Sequence, residues 1–225
     1  MKPVTQQAHE LLTALVRGQL AIDATAGNGH DTEFLARLVG RTGTVWAFDI
    51  QREALLRTVS RLREQGISVE VREGFPSDAV PDVGHAVPAD RGPHVVCVEA
   101  SHAEMGNYLP TTQRGQMAAI MFNLGYLPGA DQSCKTTTAS TLAGLNAAWE
   151  WLAPGGVLTV VAYPGHPGGA EEAAAVREWF CHRVSEGACE MLSEGSESWG
   201  PGPQLFAVRR NGSPHVAGLW SGHDG

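Results

Sequence analysis

The chain has 225 residues, of which 43% are hydrophobic and 18% charged, as is typical of a globular protein of one α/β domain. Its longest apolar run, at 157–163, is too short to cross a bilayer, so a membrane protein is not expected. The net charge of −8 disfavours broad electrostatic binding to nucleic acid, so an RNA substrate would require a local basic patch.

Strand and helix patterns alternate along most of the chain. Apolar runs predict strands at 20–23, 44–49, 95–98, 117–123 and 157–163. Apolar residues at helical spacing predict helices at 8–16, 31–39, 53–65, 140–152 and 171–182. Near the end, 188–193 and 204–209 flank a loop rich in Gly, Pro and Ser and predict a hairpin. The expected fold class is α/β, with a Rossmann-like, mostly parallel seven-stranded sheet and a C-terminal antiparallel hairpin.

One stretch interrupts the alternation of strands and helices. Ile67, Val69 and Val71 alternate with polar residues, as in an exposed strand, and residues 74–93 are rich in Pro, Gly and Asp. We therefore expect an irregular insertion at about 67–93 inside one domain that spans 1–210. Residues 211–225 are rich in Gly and Ser and have no periodicity, which predicts a flexible tail.

Ligands of such sheets bind beyond the carboxyl ends of the strands, so residues directly after strands are the candidate site residues. The first strand ends at Asp23, and the turn after it contains Gly27, Asn28 and Gly29, whose glycines permit close approach of a ligand. The second strand ends at Asp49, about twenty residues further on, where an acid can accept hydrogen bonds from both hydroxyls of a ribose. The two features together predict a cofactor that contains adenosine.

NAD and S-adenosylmethionine both fit this arrangement. The turn reads Gly-Asn-Gly-His-Asp-Thr, so the third glycine of the dinucleotide fingerprint is missing. Asp31 lies at the start of the next helix, where a carboxylate would repel a pyrophosphate. S-adenosylmethionine has no phosphate, and its cationic groups tolerate acids such as Asp23, so it is favoured. An NAD-dependent oxidoreductase and a non-catalytic protein that senses S-adenosylmethionine remain as alternatives.

The predicted strand 118–122 runs into Asn123, Leu124, Gly125 and Tyr126. This resembles the (Asp/Asn)-Pro-Pro-(Tyr/Phe) motif of amino-group methyltransferases, with Leu124 and Gly125 in place of the two prolines. In those enzymes the Asn oxygen and a nearby backbone carbonyl accept hydrogens of the target amine, and the aromatic ring packs on the substrate. The resemblance implies that Asn123 and Tyr126 act on the acceptor. Lys135 follows closely and is a candidate for a phosphate contact.

An alkyl amine is protonated at neutral pH, because its reference pKa is near that of lysine, about 10.4. A proton must therefore leave before the amine attacks a methyl group, and an amide such as that of Asn123 cannot take it. Asp131 and His166, both in predicted loops after strands, are the candidates for removing it.

The cysteines and the amino terminus give no sign of a metal or of export. No two of the four cysteines have C-x-x-C spacing, so neither a zinc site nor a redox pair is indicated. The amino terminus has no apolar signal core. We expect a cytoplasmic protein without a metal.

Several segments together resemble the rRNA methylase family of small bacterial proteins. These segments lie at 23–32, 47–51, 101–102, 122–129 and 163–169, and the resemblance covers roughly 22–209. It implies a class I methyltransferase that uses S-adenosylmethionine and methylates 5-aminomethyl-2-thiouridine at the wobble position of tRNA. It also implies which residues line the cofactor site: Asn28, Asp49, Gln51, Ser101 and His102. Another acceptor, such as rRNA or a small-molecule amine, stays open, as does a homodimer.

Overall fold

The computed structural model describes residues 2–16, 18–73, 92–125, 136–195 and 202–212. The helices in these ranges are α1 (Val4–Leu15), α2 (His30–Val39), α3 (Arg52–Glu64), α4 (Thr138–Trp151) and α5 (Gly169–Ser185). The strands are β1 (Leu20–Asp23), β2 (Thr44–Asp49), β3 (Ser68–Glu73), β4 (His94–Glu99), β5 (Met117–Asn123), β6 (Leu152–Ala162), β7 (Cys189–Glu194) and β8 (Gln204–Arg210). Two short 3-10 helices, His102–Asn107 and Thr111–Gln113, lie between β4 and β5 and were not expected from the sequence.

The strands form one sheet in the order β3-β4-β2-β1-β5-β6-β8-β7. Strands β1 to β6 pair in parallel, whereas β8 runs antiparallel to both β6 and β7. The predicted α/β class, with a mostly parallel sheet and a C-terminal antiparallel pair, is confirmed. Because β1 lies between β2 and β5, the strand order reverses there, and a crevice is expected at the carboxyl ends of these strands.

Within the described ranges the sheet has eight strands, one more than the seven predicted. The additional strand is β3, which pairs in parallel with β4 from Ser68 opposite His94 to Glu73 opposite Glu99. Pairing with β4 makes 68–73 a regular edge strand, as the alternation of Ile67, Val69 and Val71 suggested, so this part of the stretch at 67–93 is not irregular. The rest of that stretch, 74–91, and residues 213–225 of the predicted tail lie outside the described residues.

Successive side chains of a strand point to opposite faces of the sheet, so the strands contribute to two cores. On one face, Phe48 and Phe122 pack in a cluster with Leu145 of α4 and Phe180 of α5. On the other, Ala47 and Met121 belong to a cluster that includes residues of α1, α2 and α3. Helices therefore cover both faces, which leaves the carboxyl edge of the parallel strands as the place for a site.

Strand β6 begins earlier than the sequence predicts. Leu152 already pairs with Met117 of β5, and the register shifts before the following pair, Val157 with Ala119. The Pro-Gly-Gly segment lies within this irregularity, and Gly155 has a φ of 77°, which a glycine adopts without strain. None of the helices in the described part of the chain is long and apolar enough to cross a membrane.

Candidate active site at the carboxyl edge of the sheet

A cleft of about 820 Å³ opens at the carboxyl ends of β1, β2, β4, β5 and β6. Each of these strands contributes residues at or directly after its end, as expected for a doubly wound parallel sheet. The start of α4 adds Thr137 and Ser140 to the wall.

The cleft brings together most of the site residues that the sequence predicts. Those that line it are Gly27, Asn28, Asp49, Gln51, Ser101, His102, Asn123, Leu124, Gly125 and His166. Two others, Asp23 and Gly29, lie behind the wall: Asp23 is fully buried, and a Cβ on Gly29 would lie 2.9 Å from the Cα of Thr58. Tyr126, Asp131 and Lys135 lie outside the described residues.

Asp23 lies beneath the loop that follows β1. Its carboxylate accepts hydrogen bonds from the Thr32 hydroxyl at 2.5 Å and from the Thr25 N–H at 3.1 Å. Burial, and after it the charge of the nearby Asp31, raise the pKa of Asp23 to about 7, against the opposing effect of the hydrogen bonds from Thr32 and Thr25. Asp23, a candidate residue of the cofactor site from the sequence, therefore supports the loop from beneath and does not line the cleft.

The raised pKa of Asp23 predicts a pH dependence of stability. The folded chain retains a proton on Asp23 up to a pKa of about 7, whereas the unfolded chain loses it near the ordinary value of 3.8. Between these values the folded state binds more protons, so the stabilising contribution is complete below pH ~4 and is lost as the pH rises towards 7. Relative to Asp23→Asn, we expect the free energy of unfolding of the wild type to fall by up to about 4 kcal/mol across this window. Urea denaturation at stepped pH measures the difference, and a constant difference would contradict the prediction.

The loop after β1 is held from the side by helix α3. The Thr58 hydroxyl donates to the carbonyl of Gly27 at 3.0 Å, and Nε of Arg61 donates to the carbonyl of Asn28 at 2.9 Å. Gly27 and Gly29 have φ values of 52° and 78°, which favour glycine. The loop is thus fixed in one conformation beside the cleft.

Asp49 ties this loop to the end of β2. Its carboxylate accepts hydrogen bonds from the N–H of Gly27 at 2.9 Å and from that of Gln51 at 2.8 Å, one on each oxygen. Burial raises the pKa of Asp49 above its ordinary value, and these backbone donors act in the opposite direction. Each carboxylate oxygen can accept a further hydrogen bond, and Asp49 lines the cleft, so it can bind a ligand with two hydroxyls.

His102 closes the inner wall of the cleft. Ser101 caps its 3-10 helix by accepting a hydrogen bond from the N–H of Ala103, and the imidazole packs edge-on against Phe122 with ring centroids 5.4 Å apart. Burial lowers the pKa of His102, which favours the neutral ring, against the opposing effect of the Ser140 and Ala24 backbones. Its Nε2 atom is buried and has no hydrogen-bond partner among the described residues.

Asn123, the last residue of β5, is held by three side chains. Its N–H donates to the Thr25 hydroxyl at 2.7 Å, and its side-chain nitrogen donates to the Asp31 carboxylate at 3.1 Å. The Tyr163 hydroxyl also contacts the Asn123 side chain; burial and the charge of Asp31 raise the pKa of Tyr163, and the contact with Asn123 lowers it. This orientation of the amide directs its nitrogen to Asp31 and leaves the oxygen as an acceptor.

The two ends of segment 126–135 are joined at its base. The Gly125 N–H donates to the Thr136 hydroxyl at 2.9 Å, and the Thr136 N–H donates to the Gly125 carbonyl at 3.2 Å. The Thr136 hydroxyl in turn donates to Glu172 at 3.1 Å, and the Thr141 hydroxyl donates to the other oxygen of Glu172 at 2.7 Å. Glu172 is only 2% exposed, so these two hydroxyls hold a buried carboxylate against the base of the segment.

Sequence reasoning missed Asp31, Thr25 and Tyr163 as members of the site. Asp31 was considered only as an acid at a helix start, and Tyr163 only as the first residue of a motif. All three line the cleft. The available signal was positional: Thr25 and Tyr163 lie just after the ends of β1 and β6, and Asp31 lies in the first turn of α2, the helix that follows β1.

The chain matches a family model described as "Putative rRNA methylase" over residues 45–197. It is also 34% identical over 198 residues to an Arabidopsis thaliana protein named "tRNA (mnm(5)s(2)U34)-methyltransferase, chloroplastic". That alignment covers 80% of this chain and 63% of the plant protein, so the chain spans less than two thirds of that relative.

Two crystal structures are similar over nearly the whole chain. A protein from Clostridium thermocellum, described as a "putative rRNA-methylase", is 31% identical with a TM-score of 0.73, and the match covers 93% of this chain and 98% of that one. A "putative methyltransferase" from Streptococcus mutans in complex with SAH is 26% identical with a TM-score of 0.68, and the match covers 93% of this chain and 99% of that one. The fold of this chain is therefore the one that both of these proteins have.

Proposed function

Because the chain belongs to the rRNA methylase family, we propose that it transfers a methyl group from S-adenosylmethionine to a primary amine of a tRNA nucleoside. The proposed acceptor is 5-aminomethyl-2-thiouridine at the wobble position, whose methylated product appears in the name of the Arabidopsis relative. The observation that carries the proposal is the position of Asn123, which ends β5 inside the cleft with its amide oriented by Asp31.

S-adenosylmethionine is the methyl donor, and the fold is that of the class I methyltransferases. The residues present fit such a ligand: Asp49 offers a carboxylate at the cleft wall, and His102 has a buried nitrogen without a partner among the described residues. We assign the adenosine ribose to Asp49 and the remaining polar contacts to Asn28, Gln51, Ser101 and His102. The bound donor supplies a methyl group activated by a sulfonium.

The position of Asp31 argues against the NAD-dependent alternative. Asp31 lies in the first turn of α2, lines the cleft, and is hydrogen-bonded to both His9 and Asn123. A dinucleotide cofactor would need its pyrophosphate at this helix end, next to a fixed carboxylate. A methyl donor without phosphate meets no such repulsion.

Asn123 is proposed to orient the acceptor. Its amide oxygen accepts one hydrogen of the neutral amine, and the Leu124 carbonyl accepts another, since the Gly125 carbonyl already accepts the Thr136 N–H. The nitrogen lone pair then points along the line of displacement, and the neutral thioether that leaves needs no general acid. In segment 126–135 we assign Tyr126 to stacking on the base and Lys135 to a phosphate, which compensates locally for the net charge of −8.

Mass spectrometry of tRNA nucleosides tests this function. The purified chain and S-adenosylmethionine are incubated with tRNA from cells that leave 5-aminomethyl-2-thiouridine unmethylated. We expect this nucleoside to gain one methyl group in step with formation of S-adenosylhomocysteine. Methylation of rRNA or of a small amine instead would exclude the tRNA acceptor. Binding of S-adenosylmethionine without turnover on any of these acceptors would indicate a sensor.

A further inference from the structure

We propose that Asp31 is the catalytic base, which takes the proton from the acceptor ammonium, and that His9 positions it. This inference rests on the proposed function, because it concerns the amine that Asn123 orients. It follows from a chain of contacts: Nε2 of His9 lies 2.7 Å from one oxygen of Asp31, and the side-chain nitrogen of Asn123 lies 3.1 Å from the other. Asp31 is therefore in direct contact with the residue assigned to hold the amine.

Asp31 is buried but reachable from the cleft. It is 7% exposed and belongs to the residues that line the cleft. The titratable groups that face it are His9 of α1, Asp23 of β1 and Tyr163 after β6. No arginine or lysine forms a salt bridge with Asp31 among the described residues, so its negative charge is available to a cationic ligand.

The reaction needs such a group. An alkyl amine with a reference pKa of about 10.4 is neutral in roughly one molecule of 2,500 at pH 7. Asn123 cannot accept a proton, and Tyr163, whose pKa is raised, is a hydroxyl donor at this pH. Asp31 can do both things that are required: it attracts the ammonium, and it accepts the proton.

Proton transfer to Asp31 precedes methyl transfer. An N–H bond of the ammonium breaks, its electron pair stays on nitrogen, and the proton bonds to an oxygen of Asp31. The nitrogen lone pair then forms a bond to the methyl carbon while the carbon–sulfur bond breaks and its electron pair stays on sulfur. The products are the methylated ammonium, the neutral thioether and one proton on Asp31. Transfer of a proton from an ammonium to a carboxylate is unfavourable in water. In the cleft, the positive charge of the sulfonium would lower the pKa of the ammonium and so favour this transfer.

His9 keeps Asp31 in place and provides a route for the proton to solvent. Its ring stacks on Phe34 with centroids 3.8 Å apart and an interplanar angle of 4°, which fixes the direction of Nε2. The His9 side chain is 26% exposed, whereas that of Asp31 is 10% exposed. A proton on Asp31 can therefore pass to the imidazole, the more exposed of the two side chains, and from there to water.

The two candidates from the sequence are placed differently. His166 lines the cleft, but its Nδ1 lies 3.2 Å from the Pro167 carbonyl, and the described contacts of Asn123 do not include it. Asp131 lies outside the described residues. Asp31 is the acid that lies at hydrogen-bond distance from the Asn123 side chain.

The test is the pH dependence of single-turnover transfer to the unmethylated tRNA, measured from pH 7 to 9 with saturating S-adenosylmethionine. For Asp31→Asn we expect a rate about 100-fold lower at pH 7 that rises nearly tenfold per pH unit, because only amine already neutral in solution reacts. The wild-type rate should change little between pH 7 and pH 9. His9→Phe keeps an aromatic ring against Phe34 and should give a rate about tenfold lower with an intermediate slope.

Glu10→Gln is the matched control, since it makes the same carboxylate-to-amide change on α1, next to His9, at an exposed residue paired with Lys2. Its rate and profile should match the wild type. Calorimetry should give Asp31→Asn a donor affinity within about threefold of wild type. The assignment would be overturned if the rate of Asp31→Asn did not change with pH, or if Asp31→Asn lost donor binding. It would also be overturned if the rate rose steeply with pH in a His166→Asn variant instead. If Asp31→Asn does not fold, a level wild-type-like profile in His9→Phe overturns it. An inactive wild type would overturn the proposed function itself.

Discussion

Replacing Asn123 by alanine is expected to lower the single-turnover rate of methyl transfer about 100-fold or more and to leave donor affinity within about threefold. The amide oxygen of Asn123 is assigned to the acceptor, and its nitrogen bonds Asp31 at 3.1 Å, so the variant loses both the orientation of the amine and a contact of the proposed base. The backbone of β5 should keep its position, because the hydrogen bond to the Thr25 hydroxyl is donated by the main-chain N–H of residue 123, which alanine retains.

Asn146→Ala is the control for this variant. Asn146 is exposed on α4, accepts a hydrogen bond from Trp179 at 2.9 Å, and does not line the cleft, so its loss should not change transfer. Single-turnover kinetics and calorimetry are run on both variants. If Asn123→Ala loses donor affinity and transfer rate in equal proportion, Asn123 belongs to the donor pocket and the assignment to the acceptor is wrong.

Replacing Asp49 by alanine is expected to weaken donor binding about 10-fold to 150-fold, which corresponds to the loss of roughly 1.5–3 kcal/mol for a hydrogen bond to a charged group. The carboxylate is assigned to the ribose hydroxyls, and it also accepts the N–H groups of Gly27 and Gln51. The variant therefore removes a ligand contact and loosens the loop that forms the cleft wall. Calorimetry with S-adenosylmethionine measures the loss.

Glu53→Ala is the control for Asp49→Ala, because it removes another acid near the carboxyl end of β2. Glu53 lies in the first turn of α3 with an 87% exposed side chain, and donor affinity should be unchanged. Thermal shift with NAD should show no stabilisation of either variant or of the wild type. Unchanged affinity in Asp49→Ala would mean that the ribose lies elsewhere in the cleft.

Most strand ends at the cleft could be predicted from the sequence, because burial on both faces makes the central strands continuous apolar runs. The run 117–122 ends at Asn123, and the run 44–48 ends at Asp49, and both residues line the cleft. Edge strand β3 was harder to place, since its alternation of apolar and polar residues is equally typical of an exposed segment. Only its pairing with β4 establishes it.

The sequence by itself determined the fold class and the candidate positions, because periodicity is local and the rule that ligands bind at the carboxyl ends of parallel strands needs only the strand order. Tertiary structure decided which of those residues touch. Asp31 and Asn123 are 92 residues apart in the chain, and His9 is 22 residues from Asp31, yet side-chain contacts join all three. It also decided that Asp23 is buried behind the loop instead of facing the cleft. Such contacts depend on how α1 and α2 pack against the sheet, and a local pattern of residues does not predict that packing.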